Sequence, residues 1–281
     1  MVQWCLTSSR SVPNENHFHR RVYAGVMVIG IACVQALASS GAAAAADAAS
    51  FIQRTQDGRP DWGGIWLRQG GIGLDPALKP GQIDRPPLTP EYQAKYDASL
   101  ASLKAGRPVA DPTAACLPPN GVRLMNMVYP MEIFQRRGLV AVFAEWDHQA
   151  RRIYTDGRKP DKNTERTYLG YSVGRWEGDE LVAETTLFKG ELVLNQSGLT
   201  LSEDLVMRER WKQTAPDTLT DTITLIDARA LQTPFTYTKT FKRAEPGFEI
   251  MEYTCVENNR NPILPDGTTG TILNQGQSAI R

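Results

Sequence analysis

Residues 170–188 read GYSVGRWEGDELVAETTLF, and their interpretation decides between two kinds of protein. The first five residues match G-x-S-x-G, the pattern around the nucleophilic serine of many hydrolases. There Ser172 would sit on a tight turn between a strand and a helix, with an acid and then a histidine later in the chain. Instead the chain continues into Trp176-Glu177-Gly178-Asp179, a turn-forming cluster, and then into 181–188, whose Val, Thr and Phe content is strand-like. The three histidines, His17, His19 and His148, all precede Ser172, so the hydrolase order cannot be assembled. The stretch therefore predicts a strand, a tight turn and a second strand.

The same texture extends on both sides. Strands are expected over 122–127, 131–135, 139–146, 151–155, 180–188, 204–213, 218–226, 235–243 and 248–255, joined by short connections with Gly, Pro, Asp or Asn. Short connections favour an antiparallel meander, and the lack of alternating helices disfavours a parallel doubly wound sheet. Eight or more such strands solve their edge problem by closing or stacking. The closed form is the expectation: a mainly β, antiparallel β-barrel, lipocalin-like in general shape. One helix is expected over 90–105, with Thr89 before it, Pro90 in its first turn, Tyr92, Tyr96, Leu100 and Leu103 on one stripe, and Gly106 at its end. Its tyrosines read as core contacts. The aromatic patch 61–66 and the Pro- and Gly-rich run 70–90 read as an irregular wrap.

The chain has 281 residues, 41% of them hydrophobic, and a formal net charge of zero. That supports one domain with an ordinary core and gives no electrostatic reason to expect nucleic acid. Arg20-Arg21, the apolar run 22–38 and the alanines 42–46 read as an export signal, with an N-terminal membrane anchor as the alternative. The expected organisation is a signal over 1–46 and one barrel domain over 47–281. Within that domain, 47–120 is wrap plus helix, 121–257 holds the strands and 258–281 is a tail. No later segment is apolar enough to span a bilayer. Removal of the signal would take Cys5 and Cys33 and leave Cys116 and Cys255 in an oxidising periplasm, either paired or as two buried thiols. No metal site is expected, because His148 and two distant cysteines lack ligand spacing.

Taken together, PDWGGIW, CLPPNGVRLM, RRIYTDGR, GYSVGRWEGDELV and MEYTCVENN resemble an exported bacterial family common in proteobacteria and acidobacteria and largely without assigned function. The resemblance covers nearly all of the mature chain and implies a barrel-like fold. Members carry a histidine-bearing proline turn before the strand at Leu205. Here 198–202, GLTLS, has no histidine, so no role for one carries over.

Candidate chemistry comes from side-chain direction, since alternate strand residues face opposite ways. Glu145 alternates with Leu139, Ala141 and Phe143; Glu209 with Leu205, Met207 and Trp211; Glu184 with Val182 and Phe188. A carboxylate in such company needs a cation or donors, or else keeps its proton. Across the turn 147–149, Arg152 and Tyr154 could lie beside Glu145, with Tyr253 approaching from the last strand and His148 at the mouth. One reading is a structural ion-pair network, with Glu209 balanced by Arg208, Arg210 or a lysine from another strand. The other is a pocket in which Glu145, Arg152, Tyr154 and Glu209 are catalytic and Glu184, Tyr253 and His148 touch substrate.

No phosphate loop, dinucleotide fingerprint or triad is present, so no cofactor is expected. An enzyme of this kind would be a cofactor-free acid–base lyase or decarboxylase. Its substrate would be a small apolar acid, phenolic and lignin-derived, by fold-level analogy with phenolic acid decarboxylases, whose motifs are absent here. The rival expectations are a periplasmic carrier of an apolar ligand and an envelope interaction module with a packed interior.

Overall fold

The computed structural model describes residues 51–70, 74, 85–257, 261–265, 267 and 269–271. All of these belong to the unit Ala48–Arg281; the expected signal or anchor over 1–46, with Cys5 and Cys33, lies outside the described residues. So do most of the Pro- and Gly-rich run and most of the tail.

The strands in chain order are β1 (Gly64–Arg68), β2 (Val109–Ala110), β3 (Met131–Arg136), β4 (Leu139–Ala144), β5 (Ala150–Tyr154), β6 (Tyr171–Glu177) and β7 (Glu180–Thr186). They continue with β8 (Leu192–Val193), β9 (Thr200–Leu201), β10 (Val206–Ala215), β11 (Thr218–Ile226), β12 (Phe235–Arg243) and β13 (Gly270–Thr271). Nine of them close into a barrel in the order β1-β12-β11-β10-β7-β6-β5-β4-β3, while β8 pairs with β9 and β13 with β2. Closure gives every strand of the large sheet a neighbour on both sides, although β1 meets β12 only over Phe241, Lys242 and Arg243. The stretch 170–188 is the β6–β7 hairpin, paired from Tyr171↔Thr186 to Glu177↔Glu180. Its turn uses Gly178 at φ +60°, a left-handed conformation that glycine adopts without a Cβ penalty. Gly170, at φ +71°, has no room for a side chain either: a Cβ there would lie 2.7 Å from Thr185 Cγ2 and from the Thr186 carbonyl.

The period-2 pattern sorts the walls. On β10, Met207, Glu209, Trp211 and Gln213 are buried, and on β11 Leu219, Asp221, Ile223 and Leu225 are. Trp66, Trp211 and Phe241 fill the interior, with the Trp211 and Phe241 rings stacked at 5.8 Å and 9°. Burying a side chain such as Phe241 contributes about 1.5–3 kcal/mol. The outer face carries charge ladders, with Glu184 on Arg208 at 2.9 Å and Glu180 on Arg210 at 2.6 Å; exposed pairs of this kind contribute about 0–1 kcal/mol each.

The helix α1 (Pro90–Lys104) forms where expected and buries Tyr92 and Tyr96. Thr89 precedes it without a side-chain cap; its hydroxyl donates instead to the Arg229 carbonyl at 2.9 Å.

Four features differ from the sequence expectation. The expected strand 122–127 is instead a short helix, α2 (Gly121–Asn126), which ends before Met127. Asn120 Oδ1 accepts the Arg123 N–H at 2.9 Å, capping it, and all six residues are buried, so no in-and-out alternation exists. Residues 248–255 are not a strand either. Side chains hold them in place: Glu145 Oε2 accepts from Met251 N at 3.0 Å and His148 Nε2 from Tyr253 N at 2.9 Å. The meander is not wholly antiparallel, since β5 and β6 pair parallel. Their connection, 155–170, carries the chain back along the barrel. Finally, the aromatic patch contributes β1, which closes the ring between β3 and β12, so a barrel strand comes from the segment expected to wrap.

Cys116 and Cys255 form a disulfide across 139 residues of sequence. Such bonds form and persist in oxidising compartments. Among the described residues no helix is long and apolar enough to cross a membrane. In the chain-entropy view a loop of this length contributes about 5 kcal/mol. Replacing both cysteines by serine should therefore lower the urea midpoint and steepen the slope, because the released unfolded chain exposes more surface. An unchanged midpoint would show that the unfolded chain is not restrained by this bridge.

Candidate functional site

The polar groups inside the barrel form two clusters. In the first, Arg151 of β5 reaches Glu209 of β10 in a bidentate pair, with Nη1 to Oε1 at 2.6 Å and Nη2 to Oε2 as the second contact. Nη2 also donates to Thr185 Oγ1 at 2.8 Å, and Ser172 Oγ accepts from Nε and Nη2 at 3.3 Å each. The Ser172 and Thr185 hydroxyls are 2.8 Å apart. All four side chains are buried. Burial alone would lower the Arg151 pKa, but the charge and hydrogen bonds of Glu209 outweigh it and the pKa moves up. Ser172, the serine of G-x-S-x-G, is thus a buried hydroxyl in a strand. Gly174 supplies the close approach beside it, since a Cβ there would lie 2.9 Å from Ile153 Cγ2.

Asp221 of β11 lies against this pair, wholly buried, with no donor to either carboxyl oxygen. Burial first, and the Glu209 charge second, push its pKa well above the ordinary carboxylate range. A protonated Asp221 that donates to Glu209 satisfies both acids, since two close carboxylates cannot both ionise in an apolar setting.

The second cluster joins β1, α2 and β12. Arg68 Nη1 donates to the Asn126 carbonyl, and Asn126 Nδ2 donates to Tyr237 Oη at 2.7 Å and to the Val122 carbonyl at 2.7 Å. Burial raises the Tyr237 pKa, so its hydroxyl stays protonated. Burial also draws Arg68 down to about 10. Lys239 comes after Tyr237 on the inward face of β12, with Nζ 5.4 Å from the Tyr237 ring centroid. Its pKa falls to about 7 through burial and, second, the nearby charge of Arg68. Among the described residues no carboxylate is within ion-pairing reach of its amine. Asp221 is its register partner on β11, and burial beside Glu209 raises its pKa well above the ordinary carboxylate range. Lys239 is half-buried, and β1 pairs with β12 only at Phe241, Lys242 and Arg243. The Phe235–Lys239 edge therefore has no strand partner on that side among the described residues.

The residues expected to form one pocket are distributed differently. Glu209 points inward, as its alternation predicts, but its partner is Arg151 rather than Arg208, Arg210 or a lysine. Arg152 is exposed and Tyr154 lies on the outer face, 5.4 Å from the Tyr171 ring with the Arg158 guanidinium 4.2 Å above it. Glu145 has left β4 and accepts from Met251 N. Glu184 faces outward onto Arg208. His148, at φ +48°, stacks on Phe143 at 6.0 Å. Tyr253 accepts from Trp146 Nε1 at 3.1 Å and meets Tyr129 edge-on. Glu145, Arg152 and Tyr154 are therefore not gathered around one hollow. The inward face of β4 is Val140, Val142 and Ala144, and that of β5 is Arg151 and Ile153. Both runs are offset by one position from the expected face, which reverses every side chain. The turn between them holds Asp147 and His148 in left-handed conformations, so hairpin counting across it does not apply.

Beside this turn a cavity of about 10 Å³ lies between Leu124, Met127, Tyr129, Trp146 and Phe241, room for about one water. Among the described residues no group of three or more His, Cys, Asp or Glu is placed to hold a metal ion. The expectation did not include Lys239, although the alternation of FTYTKTFKR puts Phe235, Tyr237, Lys239 and Phe241 on one face against threonines on the other.

No family model matches the chain, and no curated protein matches its sequence. Among solved structures it is similar to a secretary abundant heat soluble (SAHS) protein from Ramazzottius varieornatus. The identity is 14%, the match covers 65% of this chain and 95% of that one, and the TM-score is 0.29. The barrel assignment rests on the strand pairing itself.

Glu209→Gln leaves Arg151 buried without its counter-charge and should cost about 3–5 kcal/mol of stability. Asp221 acts in the opposite sense. Its folded pKa is raised, so its contribution is whole below the unfolded pKa of about 3.9 and declines as pH rises toward the folded value. Asp221→Asn should therefore gain on the wild type as pH rises from about 4 towards neutrality. Urea unfolding across that range measures the difference, and a variant that loses ground with rising pH would contradict a protonated Asp221.

Proposed function

We propose that the protein is an exported carrier of a small apolar acid, aromatic in type, bound at the flank of the barrel with its carboxylate against Lys239. The observation that carries this reading is an inward-facing, half-buried lysine with no carboxylate partner among the described residues, beside the Tyr237 ring and the charge of Arg68. A cation held so far from its ordinary state gains from any anion that reaches it. The aromatic surface around it suits an apolar body with one charged end. The disulfide supports an exported protein, and the periplasm is the compartment proposed.

A cofactor-free lyase or decarboxylase acting on phenolic acids is the second reading, and it is less well supported. It requires a carboxylate, a guanidinium and a phenol around the substrate. Arg151 and Glu209 are spent on each other, while Arg152 and Tyr154 face outward.

The proton balance gives the test. An anion raises the Lys239 pKa from about 7, so binding takes up a proton, and affinity is fullest below that value and weakens as pH rises above it. Calorimetry with a series of lignin-derived aromatic acids should show affinity falling by up to about tenfold per pH unit on the alkaline side. Lys239→Met should abolish that binding with the fold retained, whereas Arg152→Ala should leave it unchanged. Turnover of the acid that disappears in Arg152→Ala would favour the lyase. Absence of any bound acid, or of any thermal shift, would favour an interaction module.

A further inference from the structure

We propose that Lys239 is also a covalent capture site, whose amine condenses reversibly with the carbonyl of an apolar or aromatic aldehyde to form an imine. This inference rests on the reading of the Lys239 flank as a ligand site and extends it from a charged acid to a neutral electrophile.

The requirements for an amine nucleophile are a free lone pair, a surrounding that does not bury the amine beyond reach, and a place for the charge of the product. Lys239 meets each of them. Its Nζ has no carboxylate partner among the described residues that would hold it as an ammonium ion. The acid opposite it in register, Asp221, has its pKa pushed up by burial and by the Glu209 charge, which favours its neutral form. The positive neighbour, Arg68, is fixed to α2 through the Asn126 carbonyl, so its charge stays beside the amine. Burial and that charge bring the amine to about half deprotonated near neutrality, a state closed to solvated lysines. The side chain remains partly exposed, so a small molecule can reach it.

The reaction balances without an oxidant or a further reactant. The Nζ lone pair attacks the carbonyl carbon and the carbonyl π pair moves to oxygen, which gains a proton as nitrogen loses one. The resulting carbinolamine expels that oxygen as water while the C=N bond forms. One amine and one aldehyde thus give one imine and one water. When protonated, the product is a cation close to the face of Tyr237, whose ring centroid is 5.4 Å from Nζ, within the range of cation–π attraction. The Tyr237 hydroxyl is held at 2.7 Å by Asn126 Nδ2, which fixes that ring in place. An aromatic aldehyde suits the site better than an aliphatic one, because conjugation stabilises the imine and its ring can pack beside Tyr237.

The experiment is reductive trapping on the intact, oxidised protein. Benzaldehyde with sodium cyanoborohydride at neutral pH should give one adduct per chain by intact mass, mapped to Lys239 by peptide analysis. Trapping there should outrun that of the solvated lysines by about a hundredfold or more, as expected from the difference in neutral amine. Its rate should rise with an inflection near 7. Lys239→Met should abolish the fast adduct, and prior saturation of the wild-type protein with an aromatic acid should protect the same lysine without relying on a variant. An adduct spread evenly over the surface lysines, or an unmodified Lys239, would overturn the proposal. Acid binding without trapping would sink this inference and leave the carrier reading in place. Trapping at Lys239 without acid binding would sink the carrier reading and uphold this one.

Discussion

Arg151 and Glu209 are taken out of water together, inside a wall of apolar side chains, and that shared burial constrains everything around them. Each ion alone would cost several kcal/mol or more in such a place, so each position is tenable only while the other is occupied. Their strands are separated in the ring by β6 and β7, and the hydroxyls of Ser172 and Thr185, one from each, complete the guanidinium's contacts. A slip of one residue in any of these strands would send a member of the set to the outside and leave the rest unsatisfied. The pair thus reads as a device for register, which is the best-attested use of buried charge, and it leaves little for substrate to engage.

The barrel was legible in the sequence because its longest strands alternate cleanly. In 218–226 threonines take turns with Leu219, Ile223 and Leu225, in 204–213 every second residue from Leu205 to Trp211 is apolar save Glu209, and the inward placement of Glu209 agrees with that of Met207 and Trp211. The strand 139–144 was not legible in the same way. Both of its faces are apolar, Leu139, Ala141 and Phe143 against Val140, Val142 and Ala144, so nothing in the pattern says which is inside. The decisive clue lay one strand further on, where Ile153 is the aliphatic residue that must be buried and Arg151 shares its side. The turn between these strands hid the relation, because two successive non-glycine residues at positive φ, Asp147 and His148, are uncommon and break the hairpin count. The helix 121–126 was hidden for a different reason: every one of its residues is buried, so it has no polar face to reveal its period.

The two interior clusters divide the labour between rigidity and access. Around Arg151 the guanidinium donors meet Glu209, Thr185 and Ser172, and burial beside Glu209 raises the Asp221 pKa. Around Lys239 no carboxylate is within ion-pairing reach among the described residues, the amine is partly exposed, and the nearest hydrogen bonds belong to Asn126 and Tyr237 rather than to the lysine. Lys239 carried its signal openly, as the charged member of the apolar face of β12; a search for carboxylates passes over it.

The closing strand has a consequence for how the chain comes together. β1 lies near the start of the described residues, yet one of its two neighbours, β12, is nearly the last strand, with Trp66 beside Arg243. A ribbon emerging from its N-terminus therefore holds its first staple long before the matching hem exists. Until the final third has arrived, β1 keeps a bare edge on the side that β12 will cover, and completion waits on a contact between distant parts of the chain, which is slow. The ring is thus fastened last at the seam where its earliest and latest strands meet.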